Sequence, residues 1–397
     1  MNTPKRVLLV GGAGYIGSVL ARQLLHAGHR VRVFDALFYG TQSLTGVLGH
    51  PNYELVIGDT RNTAALGDAL TGVDAVVHLG ELVGDPACGL EPSTTRAINR
   101  DATRRLAELA YEHGIRRFVY PSSCSVYGAS DEIVDEESPV NPMSLYAEMK
   151  VAAEHLLGTL AGDDFEPVVL RLATVFGYSA RPRFDLVVNL MAARALAERR
   201  ISVHGGGQWR PFVHVSDVAA AMAMCLDASA HLVAGRIFNL GSDRENYTIA
   251  QIAGLVHRHT PEASIEIVPA DDRRNYRVSF SRIQGKLGFV PAVEVTQGIA
   301  EIQDAIRAQL VLDYGASTHS NVRSLQETAA SYRNDVSAVR TARVAPRTAG
   351  RSTASRARQR PGEAGVRARP IAGHRAVRRL AIDRPAIDAD LRRPPTP

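Results

Sequence analysis

The stretch VLLVGGAGYIGSVL, residues 7–20, joins an apolar run, a glycine-rich turn and a second run with apolar residues at helical spacing. Its glycines satisfy G-x-G-x-x-G through Gly12, Gly14 and Gly17, and a looser G-x-x-G-x-x-G begins at Gly11. Glycines at these places allow a tight turn, close approach of a diphosphate to backbone N–H groups, and close packing of a helix on a strand. The stretch therefore predicts a strand, a phosphate-binding turn and a helix.

A carboxylate closes the next predicted strand, RVRVFD, residues 30–35. Asp35 lies 18 residues beyond Gly17, which is the distance at which dinucleotide-binding units place the acid that binds the adenosine ribose. The charge of Asp35 would repel a 2′-phosphate. The spacing therefore predicts a dinucleotide site with NAD preferred over NADP.

Short β-rich runs alternate with helical patterns through the first 177 residues. The predicted strands are RVLLVGG, RVRVFD, YELVIGD, AVVHLG, RRFVYPSS and PVVLRLATVFG, and GRIFNLGS near residue 238 is predicted to rejoin their sheet. This alternation predicts an α/β fold, a Rossmann-type doubly wound parallel sheet with helices on both faces. We assign residues 1–177 and 212–258 to an NAD-binding domain, and residues 178–211 and 259–330 to a smaller α/β substrate-binding lobe.

The C-terminal segment has a different composition. Residues 331–397 contain 16 Arg, no Lys and 5 acidic residues, a net charge of +11, which leaves −6 for residues 1–330 out of the total of +5. Sparse apolar residues predict a basic, disordered tail. The tail either binds nucleic acid or an acidic membrane surface, or has no function, and the lack of interleaved aromatic residues favours the second interpretation. The acidic body gives no reason to expect a nucleic-acid partner.

Cysteines and histidines indicate no metal. The three cysteines are far apart in the sequence, and the histidines that lie near the motifs lack metal-ligand spacing, so no disulfide framework, zinc site or other metal is expected. The first predicted strand begins too early to leave room for a signal peptide, and no apolar run is long enough for a bilayer. We expect a cytoplasmic protein without a membrane partner. The three cysteines are Cys88, Cys124 and Cys225, and the histidines near the motifs are His78, His204 and His214.

The stretch SLYAEMK, residues 144–150, places Tyr146 four residues before Lys150. On a helix the two side chains lie one turn apart on the same face. A lysine ammonium near a phenol favours the phenolate and lowers a pKa that is near 10 in water. The spacing thus fits a catalytic base, and it equally fits an ordinary helix surface, so the rest of the chain must decide.

Further motifs follow in order along residues 5–326: GDTR, HLGE, YPSSCSVYG, YAEMK, RLATVFG, WRPFVHVSDVA and DDRRNYRVSF followed by LGFVP. With the glycine-rich turn, they make the chain resemble the extended short-chain dehydrogenase/reductases. Within that superfamily it is similar to the NAD-dependent nucleotide-sugar epimerase/dehydratase family, which is UDP-glucose 4-epimerase-like. The resemblance covers most of the chain before the basic segment.

The resemblance implies a set of site residues and a cofactor, NAD. It implies a homodimer, formed by the helices near residues 99–112 and 145–160, that acts on a nucleotide-diphosphate sugar. The catalytic residues implied are Ser123, Tyr146 and Lys150. Those implied to bind the cofactor or support its site are Gly11, Gly14, Tyr15, Ile16, Gly17, Asp35, Asp59, Leu79, Asn99 and Lys150. Those implied to bind substrate are Asn189, Arg210 and Arg274.

The predicted reaction is epimerisation at C4 through a transient 4-ketosugar. Dehydratases of the family carry an acid pair after the catalytic Ser or Thr, and Cys124 and Ser125 stand there instead, so 4,6-dehydration is disfavoured. Cys124 is interpreted as a packed side chain rather than a reactive thiol. A nucleotide-sugar 4-oxidase is the leading alternative, followed by a steroid- or flavonoid-type reductase and a non-catalytic NAD-sensing protein.

Some positions depart from the common family pattern and leave the sugar open. Thr174 stands where many members have Asn, and Glu81 follows HLG where a small residue is usual. The loop LVGDPAC, residues 82–88, follows a strand's carboxyl end and is predicted to line the hexose site. Trp209, the only tryptophan, either stacks on the nucleotide base or packs in the core.

Overall fold

The computed structural model describes residues 3–270, 272–328 and 342–344. In the first half of the chain the elements are β1 (Arg6–Val10), α1 (Tyr15–His26), β2 (Arg30–Asp35), β3 (Tyr53–Ile57), α2 (Thr63–Leu70), β4 (Ala75–His78), α3 (Asp85–Leu90), α4 (Pro92–Arg96), α5 (Thr103–Glu112), β5 (Arg117–Ser123), β6 (Ala129–Val134), α6 (Leu145–Leu160), β7 (Glu166–Leu172) and β8 (Thr174–Phe176). A π-helical segment, Ala97–Ala102, joins α4 to α5.

In the second half the elements are α7 (Val187–Glu198), β9 (Arg200–His204), β10 (Trp209–His214), α8 (Val215–Asp227), α9 (Ala230–Val233), β11 (Arg236–Leu240), β12 (Asn246–Thr248), α10 (Ile249–His259), β13 (Ser264–Val268), β14 (Asn275–Val278), α11 (Ser281–Leu287), α12 (Val295–Arg307), α13 (Asn321–Glu327) and β15 (Ala342–Val344).

The large sheet has the order β11-β7-β5-β4-β1-β2-β3-β15. All pairs in it are parallel except the pairing of β15 with β3. Successive residues of a strand point to opposite faces: Val7 and Leu9 of β1 pack with α1 and α8, whereas Leu8 and Val10 pack with α2, α5 and α6. Both faces of the sheet are therefore covered, and the predicted doubly wound α/β fold is confirmed.

The run PVVLRLATVFG differs from its prediction as one strand. It divides at Ala173 into β7, which stays in the large sheet, and β8, which pairs with β10 in a separate sheet of order β12-β10-β8. Both halves are apolar and β-branched, so the composition carries no signal of the break. The division turns the chain out of the large sheet at its carboxyl edge.

Strands β8, β9 and β10 with α7, α10 and α12 enclose a third apolar cluster, which includes Phe176, Phe212 and Ile252. The run GRIFNLGS forms β11 and does rejoin the large sheet, next to β7. Two helices pack on the domain to which they were not assigned. α10 falls in the range 212–258 except for His259 and packs on α7 and β9, which lie in the range of the substrate-binding lobe. α13 falls in the range 259–330 and packs on α3, which lies in the range of the NAD-binding domain.

Most of the predicted basic tail lies outside the described residues. Its described part, β15, pairs with the edge strand β3, and Arg343 forms an ion pair with Glu54. Within the described ranges, the helices are too short or too polar to span a lipid bilayer.

Candidate active site

The glycine-rich turn joins β1 to α1 at the carboxyl edge of the sheet. Gly11 has φ +80°, and a Cβ built there would lie 2.5 Å from the backbone carbonyl carbon of Leu79. A Cβ on Gly17 would lie 2.5 Å from the carbonyl oxygen of Gly11. Helix α1 begins after Gly14 without a side-chain cap, so its first N–H groups remain available to an anion. The turn has the shape that binding of a diphosphate requires.

Asp35 stands at the end of β2 beside this turn. Its carboxylate accepts hydrogen bonds from the backbone N–H groups of Ala13 (2.9 Å) and Leu37 (2.8 Å). Burial raises its pKa. With Asp59 and Leu79 it lines a small cavity of about 80 Å³. Each carboxylate oxygen has a second lone pair, so Asp35 can still accept hydrogen bonds from a ribose.

Asp59 and Asn99 support this region through close contacts. Asp59 is buried and holds the guanidinium of Arg61 through Nη2 at 2.6 Å. The Asn99 side chain lies in the π-helical segment and bonds to both backbone groups of Leu82, at 2.9 Å to the N–H and 2.7 Å to the carbonyl. Asn99 therefore fixes the start of the loop 82–88.

The three predicted catalytic residues line one cavity of about 500 Å³. Ser123 ends β5, and its hydroxyl lies 3.0 Å from the Ser125 hydroxyl. Tyr146 and Lys150 lie one turn apart on α6, with the Lys150 Nζ 5.7 Å from the centroid of the Tyr146 ring. Helix α6 starts at a good N-cap, since the Ser144 hydroxyl accepts the N–H of Ala147 at 3.2 Å. The predicted partnership of Tyr146 and Lys150 is therefore geometrically possible.

Lys150 forms a buried ion pair with Glu81 and donates to the Pro121 carbonyl at 2.7 Å. Its side chain is 4% exposed and that of Glu81 is 2% exposed. Glu81 also accepts hydrogen bonds from the hydroxyls of Tyr120 (2.9 Å) and Thr103 (3.1 Å). Glu81, which departs from the family pattern, is thus the buried partner of the lysine predicted to be catalytic.

This ion pair changes the expected acidity of Tyr146. Burial raises the pKa of Tyr146 well above its usual value, and the negative charge of Glu81 raises it further, while a hydrogen bond with Ser123 acts in the opposite direction. The pKa of Tyr146 in the chain alone is thus raised and not lowered, first because the phenol is buried and second because Glu81, the partner of Lys150, carries a negative charge. The effect of Lys150 itself on the phenol stays a prediction.

His78 lies behind Glu81, and its Nε2 is 2.8 Å from the Thr103 hydroxyl. Burial lowers its pKa to about 4, so the ring is neutral at pH 7. His214 bonds to Ser216 and Glu301. Among the described residues, no group of three His, Cys, Asp or Glu side chains is arranged to hold a metal.

The opposite wall of the cavity comes from the second lobe and carries Arg210 and Arg274. Asp272 binds both arginines, at 2.9 Å from Nη2 of Arg210 and 2.8 Å from Nη2 of Arg274. Arg274 also forms an ion pair across the cavity with Asp85, which accepts the Ser144 hydroxyl at 2.6 Å. The loop 82–88 therefore borders the cavity. Both arginines that are predicted to bind a diphosphate are paired with carboxylates in this structure.

Other predicted residues have contacts of a different kind. The buried Asn189 amide bonds to both backbone groups of Gly177 and to the Arg183 carbonyl, so it holds the turn after β8, and its predicted contact with a diphosphate stays a prediction. The Arg277 guanidinium lies 5.5 Å from the Trp209 ring, and Trp209 is not among the residues that line the cavity.

Cys124 is buried, and its thiol donates to the Arg171 carbonyl. Burial raises its pKa, which fits a packed side chain and not a reactive thiolate. Thr174 and Ser125 line the cavity. Neither position after Ser123 carries an acid.

Tyr39, Arg181 and Asn321 are among the residues of the cavity wall that sequence reasoning missed. Arg181 lies in SARPRFD, a charged loop that follows a strand. Ligands bind at the carboxyl ends of strands in such sheets, so this position could have been predicted from the sequence. Tyr39 follows β2 closely enough for the same argument. Asn321 begins α13 and had no signal, since only packing brings this helix to the cavity.

Comparisons with known proteins find relatives in sequence and in fold. The model of the NAD dependent epimerase/dehydratase family matches residues 7–241. The chain is 32% identical over 317 residues to a dTDP-glucose 4,6-dehydratase from Streptomyces niveus, across 75% of this chain and 91% of that enzyme.

Two solved structures have the same fold. MoeE5 in complex with UDP-glucuronic acid and NAD has a TM-score of 0.67 at 28% identity, across 77% of this chain and 99% of MoeE5. UDP-glucose 4-epimerase from Thermus thermophilus in complex with NAD has a TM-score of 0.66 at 25% identity, across 76% and 99% of the two chains.

Proposed function

The chain belongs to the NAD-dependent epimerase/dehydratase family, and from that premise we propose that it is a nucleotide-sugar epimerase that acts at C4. The family's cofactor is NAD. The glycine-rich turn, where a Cβ would collide with backbone, and the acid Asp35 fit that cofactor.

One observation carries the proposal. Ser123, Tyr146 and Lys150 share a cavity with Arg210 and Arg274, which supports a proton-transfer group and a diphosphate-binding wall in one site. A nucleotide-diphosphate sugar held by the two arginines would place its hexose toward Tyr146. The arginines favour such a substrate over a steroid or flavonoid, and the complete catalytic set argues against a non-catalytic NAD-sensing protein.

The side chains divide the work of the reaction. Bound NAD supplies the hydride acceptor and the positive charge of the oxidised nicotinamide. Tyr146 would accept the proton of the C4 hydroxyl as phenolate, a form that the positive charge of the bound oxidised nicotinamide would favour against the raised pKa of the buried phenol, and the Ser123 hydroxyl would orient that oxygen. Lys150 would hold the nicotinamide ribose while it remains paired with Glu81. Hydride returned to the other face of the 4-ketosugar, with the proton held on Tyr146, would give the C4 epimer.

Two alternative outcomes share the oxidation step. A 4-oxidase would release the ketosugar and NADH. A 4,6-dehydratase is favoured by the relative from Streptomyces niveus, but elimination of water requires an acid near C6. Cys124 is buried and bonded to the Arg171 carbonyl, and Ser125 is bonded to Ser123. Neither group is suited to that proton transfer, so the proposal remains C4 epimerisation.

The full-length protein is tested with NAD and a panel of UDP-, dTDP- and GDP-hexoses deuterated at C4, with absorbance at 340 nm and NMR of the sugars. We expect a C4 isomer that keeps its deuterium, without lasting NADH. Lasting NADH with a ketosugar would identify an oxidase, and a 4-keto-6-deoxy sugar would identify a dehydratase. Tyr146→Phe should be inactive, and Tyr111→Phe, which is exposed on α5, should not.

We also retain two proposals that rest on family resemblance. A homodimer would form through α5 and α6, and light scattering of the purified protein should give twice the chain mass. The protein is proposed to be cytoplasmic.

A further inference from the structure

Arg181 is a buried cation in the loop after β8. The residue is 4% exposed and lines the main cavity. Within the part of the chain that the structure describes, its Nε and Nη2 have no hydrogen-bond partner. A buried guanidinium edge without a partner is unusual, because such groups are normally paired when they leave water.

Other arginines of this chain bind carboxylate oxygens through the same Nε–Nη2 edge that has no partner in Arg181 among the described residues. Arg183 binds the two oxygens of Asp185 through Nε (2.9 Å) and Nη2 (3.0 Å). Arg61 binds Asp59 in the same way, at 3.0 Å and 2.6 Å. Two parallel N–H groups on this edge match two oxygens of a carboxylate or phosphate.

The surroundings of Arg181, as far as the described residues form them, leave its charge without a direct counter-ion. The Tyr39 ring lies 4.1 Å from its guanidinium carbon, and the Tyr39 hydroxyl also has no partner among the described residues. The nearest carboxylate by sequence, Asp185, is bound by Arg183 and by the backbone N–H of Asn321. Burial lowers the pKa of Arg181 to about 10, so it remains charged at pH 7.

The loop that carries Arg181 is attached to the first turn of α1. The Ser179 hydroxyl donates to the Tyr15 carbonyl at 2.8 Å and lies 3.0 Å from the Ser18 hydroxyl. The Arg181 backbone N–H in turn donates to Ser179 Oγ at 3.2 Å. Tyr39 lines both the main cavity and the small cavity beside Asp35. Arg181 therefore lies near the glycine-rich turn, on the side of the cavity formed by the second lobe.

We propose that Arg181 and the Tyr39 hydroxyl form a phosphate-binding subsite at this point of the cavity. The fork of Arg181 binds two phosphate oxygens, and Tyr39 donates to one of them. The phosphate belongs either to the diphosphate of NAD or to that of the nucleotide sugar, and attachment to α1 favours NAD. The subsite rests on the NAD dependence of the family and not on the C4 outcome, so the two proposals can fail separately.

The test measures binding and requires no turnover. Calorimetry with the NAD-free full-length protein gives the Kd of NAD, of UDP and dTDP, and of adenosine, which lacks phosphate. In Arg181→Gln we expect the Kd of NAD to rise about 10- to 100-fold, since a charge-assisted bidentate contact is lost. Adenosine affinity should stay unchanged. Arg181→Lys keeps the charge without the fork, and should lie between wild type and Arg181→Gln.

The outcomes separate the two sources of phosphate. Loss of NAD affinity alone assigns the subsite to the cofactor, and loss of UDP or dTDP affinity alone assigns it to the substrate. Unchanged affinity for all of them overturns the proposal, as does an equal loss of adenosine affinity. Arg307→Gln, at the exposed end of α12, is the matched control and should bind all ligands normally.

A thermal melt of the ligand-free protein distinguishes this subsite from a structural arginine. Because Arg181 lacks a partner on its open edge among the described residues, Arg181→Gln should unfold at the wild-type temperature or above it. A clear decrease in Tm would give Arg181 a role in folding and overturn the proposal. If Arg181→Gln yields no folded protein, Tyr39→Phe removes only the hydroxyl and should raise the Kd of NAD about threefold.

Discussion

The two walls of the main cavity hold their cations in different ways. On the first wall, the side chains of Lys150 and Glu81 are 4% and 2% exposed. On the second wall, the side chains of Arg274 and Asp272 are 38% and 27% exposed, although that of Arg210 is only 8% exposed. A buried pair cannot be separated without leaving a charge in a low dielectric, whereas a half-exposed pair exchanges partners at small cost. The Lys150–Glu81 pair is therefore a fixed part of the candidate site, whereas we expect the Arg274–Asp272 pair to exchange its carboxylate for a ligand phosphate.

The largest effect is expected when the buried pair is broken. Lys150→Met removes the ammonium beside Tyr146 and leaves Glu81 buried without a counter-ion. We expect kcat/KM to fall about 10³-fold and the free energy of unfolding to fall by about 3–5 kcal/mol. Activity assays and urea unfolding measure the two effects.

A double variant separates those two effects. Lys150→Met with Glu81→Gln should recover much of the stability and none of the activity, since the buried charge is gone but the catalytic cation is still missing. Recovery of activity would show that Lys150 acts only through Glu81. Lys286→Met, at an exposed position of α11, serves as the control.

The first wall should also be sensitive to acid through His78. Burial lowers its pKa to about 4, from 6.5, so the unfolded chain binds a proton before the folded chain does. The free energy of unfolding therefore falls by roughly 2–3 kcal/mol as the pH falls from about 6.5 to about 4, because the unfolded chain protonates His78 and the folded chain does not. His78→Gln should flatten the dependence of unfolding free energy on pH in this window. An unchanged slope would place the acid sensitivity elsewhere.

On the second wall, Arg274→Gln should weaken binding and leave chemistry nearly intact. We expect the Kd of the nucleotide-sugar substrate to rise about 10- to 30-fold, with a smaller change in kcat, because Arg274 is predicted to bind the diphosphate and not the reacting hydroxyl. Arg277→Gln, three residues further on in β14, is the matched control. A large fall in kcat would contradict the assignment of the two walls to different tasks.

The smallest effect is expected from Asp272→Asn, which removes the carboxylate that competes for Arg210 and Arg274. Affinity for UDP or dTDP should increase about 3-fold at low salt, as expected for a partly exposed ion pair. Asp304→Asn, exposed on α12, should have no effect. Weaker binding would mean that Asp272 orients the arginines and does not compete for them.

Local patterns account for the features of the candidate site that lie within single segments. The glycine-rich turn, Asp35 and the pair Tyr146–Lys150 are encoded within short segments, because turn geometry and helix periodicity fix their relative positions. The alternation of strands and helices likewise predicted the large sheet, whose parallel order follows from short crossovers.

Contacts between distant segments could not be predicted in this way. Lys150 meets Glu81 because α6 packs on β5, the neighbour of β4 in the sheet, and Glu81 follows the end of β4. Arg274 meets Asp85 although the two are 189 residues apart. Neither contact produces a periodicity or a spacing in the sequence. The raised pKa of Tyr146 comes first from burial and second from Glu81, and both depend on packing between distant segments, so the sequence could not predict it.

Asp85 connects the two walls, since it accepts the Ser144 hydroxyl at the N-cap of α6 and pairs with Arg274. The wall that carries Arg274 and the N-terminus of α6 therefore share one carboxylate. A diphosphate that drew Arg274 away would leave Asp85 to the Ser144 hydroxyl and to the positive end of the α6 dipole, where a negative charge is favoured. We expect the binding free energy of such a ligand to depend in part on how firmly the first turn of α6 holds Asp85.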